Sequence, residues 1–381
     1  MKRIYLDHAA TTPVHPEVAE AMIPYLHETY GNASSTHAFG RAAKSALNRA
    51  RDLISDYLGC HPTELTFTSG GTESDNMALF GAAAANTTDR KGILTSEIEH
   101  HAVLHTCEQL ANFGHSLSCL PVDRMGKISL DDVNRLITAE TFLVSVMFAN
   151  NEVGTVQPIE AIGSMAQERG AVFHVDAVQA LGSLPIALKD LPVDLMSFSA
   201  HKINGPKGVG ALYTGKRVPL AARQYGGLQE RKRRAGTENV AGIAGFAKAV
   251  EILIRDGEAR LRQAAALRER FLGGLAERIG TGRYVLNGHP KDHLLHIINV
   301  SFPGVDSETM LMNLDMEGIA AASGSACTSG SLELSHVLQA MKLPEEVMTS
   351  AVRFSFGYGT TAEDIDFTIA KIETILDRLR K

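Results

Sequence analysis

Apolar and polar positions along the chain switch repeatedly between a helical and a strand-like spacing. Ala43, Ala46, Leu47, Ala50, Leu53, Ile54, Tyr57 and Leu58 follow three-four spacing, which predicts an amphipathic helix over Arg41–Leu58 stopped by Gly59. An earlier helix is predicted over Glu17–Tyr30. Short apolar runs then alternate with helical stretches. The strands are Glu64–Thr68, Gly92–Ser96, Phe142–Phe148, Val172–Val175 and Val193–Phe198, with Val209–Tyr213 after a glycine-rich turn. Between them lie a helix running to about Ala85, then His101–Phe113 and Ile159–Arg169. Repeated strand, turn and helix argue for an α/β fold with a mostly parallel sheet covered on both faces.

A long helix follows over Val240–Ala276, with a break expected near Gly257. Beyond it the pattern is α+β: strand His296–Phe302, helix Ser307–Met316, helix Leu332–Met341 and strand Val352–Phe356. The last helix is opened by the capping box Thr360-x-x-Glu363 and aligns Ile365, Ile369, Ile372, Leu376 and Leu379 on one face. The expected division is a large domain over 15–257 and a small domain made of 1–14 and 258–381, which carries a small-residue loop at 320–331.

Composition narrows the function classes. The chain has 381 residues, 44% hydrophobic and 21% charged, with net charge −6, so bulk charge gives no support to nucleic-acid binding. No stretch has the length of a signal peptide core or a membrane span, so no membrane role is expected. The four cysteines, Cys60, Cys107, Cys119 and Cys327, form no C-x-x-C pair. A reducing cytoplasm is the expected location, and there a free thiol can act as a nucleophile.

Candidate chemistry clusters at strand ends. Lys202, in Ser199-Ala200-His201-Lys202, sits just past a buried strand, where open α/β sheets bind ligands. There it could attack a carbonyl. A surface lysine in a turn is the equal rival, and Lys207 is a second candidate. Ser69-Gly70-Gly71-Thr72 stands between a strand and a helix, where free N–H groups attract phosphate; neither a Walker loop nor a dinucleotide fingerprint is present. Asp176 ends a strand and needs a cationic partner, for which a pyridinium nitrogen would serve; a helix-capping role is the alternative. Gln179, a few residues on, could donate to a ring oxygen. His100 follows another strand end and could stack on a ring or move a proton. His101 and His105 have i, i+4 spacing, but the glutamate of HExxH is missing, so no metal is expected. Asn151, in Asn150-Asn151-Glu152-Val153-Gly154, could bond a ring hydroxyl or a substrate carboxylate, or simply shape a turn. Arg231-Lys232-Arg233-Arg234 reads as a solvated loop, with Thr237 able to join a phosphate site. Arg353, in an apolar strand, calls for a carboxylate from substrate or from an ion pair. Cys327 lies in Ser323-Gly324-Ser325-Ala326-Cys327-Thr328-Ser329-Gly330, a segment with little to bury, expected to be mobile and able to carry covalent chemistry.

Taken in order, YLDHAATTP, SGGTESDN, EHHAVL, NNEVG, HVDAVQ, SAHK, RAGTEN and GSACTSGS resemble the cysteine desulfurases. These are a branch of the class V, aspartate-aminotransferase-like pyridoxal 5′-phosphate enzymes of fold type I. The resemblance implies Lys202 as the Schiff-base lysine, Asp176 on the pyridinium nitrogen, Gln179 on the ring hydroxyl and His100 stacked on the ring. It implies Thr72, Ser199 and His201 on the phosphate, with Gly71 in the turn and Thr237 reaching in from the second subunit of a homodimer. Asn151 and Arg353 would hold the substrate carboxylate. L-cysteine would give L-alanine and a persulfide on Cys327, with Lys202 shuttling the Cα proton and His100 serving as acid/base for the sulfur step. The sulfur would pass to an acceptor protein, either an iron–sulfur cluster scaffold or a tRNA-thiolation enzyme. A selenocysteine lyase or another class V lyase or aminotransferase is the alternative. Leu334 stands where the cluster-assembly branch usually has proline, and the sequence ends at Lys381, where better-known relatives carry a tail that helps bind the scaffold.

Overall fold

The structure, a computed structural model, describes residues 3–324 and 334–379. Its centre is a seven-stranded sheet. The strands are β1 (Leu65–Thr68), β2 (Gly92–Ser96), β3 (Ser116–Leu120), β4 (Thr141–Ser145), β5 (Val172–Asp176), β6 (Leu195–Ser199) and β7 (Gly210–Thr214). Their spatial order is β1-β7-β6-β5-β4-β2-β3. Strands β3, β2, β4, β5 and β6 are parallel, and β7 runs antiparallel to both β6 and β1. The six strands other than β7 therefore end on one edge of the sheet.

Both faces are covered, which explains why the inner strands read as continuous apolar runs. On one face pack α1 (Ala38–Leu58), the helix Ile159–Glu168 and the first half of the long helix. The other face carries α2 (Gly71–Ala85) and α3 (His101–Asn112), through Met77, Leu79, Phe80, Val103, Cys107 and Leu110. Strand β3 escaped the sequence reading because it is a polar edge strand, SLSCL, exposed or half-exposed at all but Leu120. The helix Leu130–Leu136 and the short strand Val285–Asn287 were also not expected.

Two further expectations are corrected. The segment 17–30 is not one helix but two short pieces, Pro16–Met22 and Pro24–His27, because Pro24 has no N–H to continue the ladder. The long helix, Val240–Arg278, runs through Gly257 without a break. A mid-helix glycine costs about 1 kcal/mol, too little to break a helix packed at both ends. Ala241, Ile243, Phe246, Val250 and Leu253 enter the core around the large sheet, while Leu267, Phe271 and Leu275 enter a second core. That second core also takes Ile4 and Leu6 and surrounds a three-stranded antiparallel sheet, Val285–Asn287, Ile297–Ser301 and Ala351–Ser355. The first strand, Ile4–Tyr5, pairs in parallel with Ile319–Ala320. Of the helix expected over Leu332–Met341, His336–Ala340 is helical and 332–333 lie outside the described residues.

Candidate active site

The C-terminal strand ends open on a cavity of about 280 Å³. Gly71, Thr72, His100, Asn151, Asp176, Gln179, Ser199, His201, Lys202 and Arg353 all line it. They come from the ends of five strands, β1, β2, β4, β5 and β6, and from the small sheet, so only the chain's crossings bring them together. Cys327 lies outside the described residues. Thr237 is exposed and borders a separate hollow with Ser69, Gly208 and Arg234.

Strand β6 ends at Ser199, and the chain turns at once through a 3-10 turn, Ala200–Lys202. The N-terminal segment clamps this turn. Thr12 donates its N–H at 3.0 Å and its hydroxyl at 2.8 Å to the His201 carbonyl, and accepts from the Asn204 N–H at 2.9 Å. Lys202 Nζ donates to the carbonyl oxygens of Ala9 at 2.5 Å and Ala10 at 2.8 Å. The small residues of AATT thus present backbone oxygens to the amine, a role the sequence did not reveal. Lys207 is exposed on the rim of a shallow extension of the site, so of the two lysines only Lys202 reaches the cavity. His201 contacts Thr11 Oγ1 at 3.1 Å, and burial, then the Lys202 charge, hold its imidazole down to about 4.

The turn after β1 fits a phosphate. Gly70 has φ 151°, which favours glycine, and a Cβ on Gly71 would lie 2.6 Å from Val178 Cγ2. This lets the first N–H groups of α2 stand bare at the cavity, where helix geometry favours an anion. Ser199 is buried on the other side, and its Oγ has no partner among the described residues. The lysine, the bare helix start and the unpartnered hydroxyl together fit pyridoxal 5′-phosphate, and a carboxylate opposite completes the fit. That carboxylate is Asp176, which accepts the Val178 N–H at 2.9 Å and is nearly buried. Burial raises its pKa, opposed by His100 and Lys202. Gln179 Nε2 donates to the Ala9 carbonyl at 2.9 Å, which orients the amide and leaves its second N–H unused by that bond.

His100 caps α3: its Nδ1 accepts the Ala102 N–H at 3.1 Å. A neutral imidazole held this way carries its proton on Nε2. Burial lowers the His100 pKa, opposed by Asp176. The preceding Glu99 is fully buried; its Oε1 accepts from Ser96 Oγ at 2.5 Å and the Met147 N–H at 2.9 Å. Burial pushes the Glu99 carboxyl up to about 8. His101 stacks on His105 with ring centroids 5.0 Å apart and meets His336 at 4.7 Å. Among the described residues no cluster of His, Cys, Asp or Glu is arranged to hold a metal ion.

Arg353 is 2% exposed and already paired. Nη2 donates to Asp7 Oδ1 at 2.9 Å, and Nη1 donates to the carbonyls of Asn151 at 2.9 Å and Gly324 at 3.2 Å. The ion pair raised as the alternative is therefore present, and Nε has no partner among the described residues. The basic run is only half a solvated loop: Arg231 and Lys232 are exposed, but Arg234 pairs with Glu73 at 2.8 Å and Arg233 donates to the Thr63 carbonyl at 3.0 Å. The cavity also takes in Asp75, Glu152 and His336, which the sequence reading passed over. Asp75 and Glu152 sit inside motifs that were read for other residues, and a buried acid leaves no mark in a sequence beyond its type.

The comparisons with known proteins agree with this architecture. The family model "Aminotransferase class-V" matches residues 4–367. The chain is 48% identical over 379 residues to "Cysteine desulfurase IscS" of Methanosarcina thermophila, covering all of this chain and 93% of that one. It is 47% identical over 380 residues to "Putative cysteine desulfurase IscS 1" of Bacillus subtilis, covering both in full. Among solved structures, a "NIFS-LIKE PROTEIN" superposes with TM-score 0.93 at 37% identity, covering 99% of this chain and all of that one. DndA from Streptomyces lividans superposes with TM-score 0.79 at 41% identity over 93% of this chain and 99% of that one. In fold, cavity and sequence alike, this chain belongs to the cysteine desulfurases of the class-V aminotransferase family.

Proposed function

We propose that this chain is a pyridoxal 5′-phosphate-dependent cysteine desulfurase that converts L-cysteine to L-alanine and loads the sulfur on Cys327 as a persulfide. The observation that carries this is the convergence of Lys202, the bare start of α2, the unpartnered Ser199 hydroxyl and Asp176 on one cavity. The cofactor supplies an electron sink for the charge that develops at the substrate Cα.

The chain's own residues do the rest. Thr72, Ser199, His201 and the α2 N–H groups hold the phosphate, with Gly71 keeping the approach open. Asp176 meets the ring nitrogen, Gln179 the ring hydroxyl, and His100 the ring face. Asn151 and the free Nε of Arg353 bind the substrate carboxylate. Lys202, released from the Ala9 and Ala10 carbonyls, moves the proton at Cα. His100 moves a proton at the substrate sulfur from Nε2. The cysteine C–S bond breaks and an S–S bond forms on Cys327; the carbon is reduced to a methyl group and the Cys327 sulfur is oxidised. The thiol proton of Cys327 ends on that methyl group, so atoms balance without a further reductant.

The working unit is a homodimer in which Thr237 completes the partner's phosphate site. Exposed Tyr225 and Leu228, 86% and 73% accessible on the loop leading to Thr237, support that reading. The chain divides into 15–257 and 1–14 with 258–381, supported by the separate apolar clusters. The persulfide passes in the cytoplasm to an iron–sulfur scaffold or a tRNA-thiolation enzyme. No described helix is long and apolar enough to cross a membrane.

The test measures alanine from L-cysteine with a reductant. Wild type should bind the cofactor, showing a visible band, and turn over. Lys202→Ala should lose turnover and the covalent attachment. Cys327→Ala should keep the band and lose sulfide release. Unchanged sulfide release from Cys327→Ala would refute the acceptor role and favour a lyase that needs no cysteine.

A further inference from the structure

The chemistry above leaves one buried acid of the cavity without a role. Asp75 lies in the second turn of α2, is 1% exposed and borders the same cavity as Asp176. Its Oδ1 has no hydrogen-bond partner among the described residues. Among the described residues its ion-pair contact is His174, with Nε2 3.6 Å from Oδ1. That imidazole cannot serve as a counter-charge. It is fully buried, engaged by Ser145 Oγ at 2.8 Å and Ser197 Oγ at 3.0 Å, and burial holds it down to about 3. Among the described residues the charges that act on Asp75 are Asp176 and Glu99; the cavity also holds His100, His101, Glu152, His201, Lys202, His336 and Arg353. The first two are acids, and the lysine amine is held by the Ala9 and Ala10 carbonyls.

Two carboxylates in one desolvated corner cannot both ionise without cations to match. Asp176 has the better claim to the charge: it accepts a backbone N–H and faces both His100 and Lys202. Asp75 has neither advantage; a hydrogen bond with the Ser197 hydroxyl favours its ionised form, but burial, then the Asp176 charge, outweigh it and raise the carboxyl well above the usual range.

We propose that Asp75 is a positioning residue that stays protonated beside Asp176, so that Asp176 alone carries the negative charge offered to the cofactor ring nitrogen. This rests on the cofactor reading given above. An ionised Asp75 would instead drive a proton onto Asp176 or force a second cation into the corner. The neutral acid keeps the charge single and in one place.

The experiment compares wild type, Asp75→Asn and Asp75→Ala loaded with pyridoxal 5′-phosphate, reading the pH titration of the bound chromophore. It adds infrared spectra of the cofactor-free proteins, in which a protonated carboxyl has its own band. An amide is a neutral replacement for a neutral acid, so Asp75→Asn should keep the wild-type midpoint within about twofold in proton affinity. Asp75→Ala is uncharged as well and should hold the midpoint within about tenfold. In the difference spectrum of wild type against Asp75→Asn, protonated-carboxyl intensity should be lost, while the band of Glu99 remains in both. A tenfold shift in Asp75→Asn, or no loss of carboxyl intensity in that variant, overturns the proposal. If Asp75→Ala does not fold, the Asp75→Asn titration and the band decide. A wild type that takes up no chromophore refutes the cofactor reading, while the infrared band still reports on the Asp75 proton.

Discussion

Ser335 donates its hydroxyl to Glu152 Oε2 at 2.5 Å, and a Cβ on Gly324 would lie 1.9 Å from that same oxygen. One buried carboxylate therefore touches both of the chain segments that flank residues 325–333. Ser335→Ala should leave Glu152, 1% exposed, without this donor. The expected loss is about 1–3 kcal/mol of stability, read from urea unfolding. Gly324→Ala should cost at least as much, because the carboxylate must move. Equal midpoints for wild type and Ser335→Ala would show that water replaces the hydroxyl.

The phosphate turn depends on Gly71 for space rather than for backbone freedom. A methyl group there meets Val178 Cγ2 at 2.6 Å. Gly71→Ala should weaken cofactor binding by about 1–3 kcal/mol, the usual cost of overpacking, and so by roughly 5- to 150-fold. Gly71→Ala with Val178→Ala should recover most of it. Titration of the apoprotein with pyridoxal 5′-phosphate checks this, and a double variant as weak as the single one would show that the methyl group blocks the ligand itself.

Arg51 and Glu230 form a buried pair with Nη2–Oε1 at 2.5 Å. Arg51 also donates to the Leu65 carbonyl at 2.7 Å and lies over the Phe67 ring, while Glu230 accepts the Phe67 N–H at 2.9 Å. The pair fastens the loop that leads to Thr237 onto β1. Glu230→Ala strands a buried guanidinium and should cost about 3–5 kcal/mol. Arg51→Met with Glu230→Leu should cost clearly less. Denaturant midpoints of the three proteins decide it.

Stability should depend on pH in opposite senses through two sets of groups. Burial lowers His174 to about 3 and His8, His201 and His296 to about 4. Below the ordinary imidazole value of about 6.5 the unfolded chain binds more protons than the folded one, so stability falls as pH drops from there towards 4. Glu99, raised to about 8, does the reverse. Its folded form binds more protons between the ordinary carboxyl value and 8, so it removes stability as pH rises through that window. Each fully buried group contributes up to about 1.4 kcal/mol per pH unit. Urea midpoints should fall on acidification below about pH 6.5, and Glu99→Gln should flatten the decline towards pH 8 expected of wild type. A decline of the same slope in Glu99→Gln would place the responsible proton elsewhere.

The sequence by itself determined the parallel core strands, the helices between them and the identity of the chemical groups. Apolar runs such as Val193–Phe198 and helical spacing such as that of α1 are local patterns. Lys202, Asp176 and the Ser69–Thr72 turn each sit where a local pattern ends. Strand β3 stayed hidden because an edge strand needs no apolar alternation. The unbroken helix through Gly257 stayed hidden because packing on two cores outweighs one weak helix former. Only the tertiary structure decided what each group meets. It brought the Ala9 and Ala10 carbonyls to Lys202, Asp7 to Arg353, and Glu152 to Ser335. It also placed Asp75 in one cavity with Asp176. These contacts join residues many positions apart, and their energies come from burial. Burial belongs to the packed chain, and no stretch of sequence carries it alone.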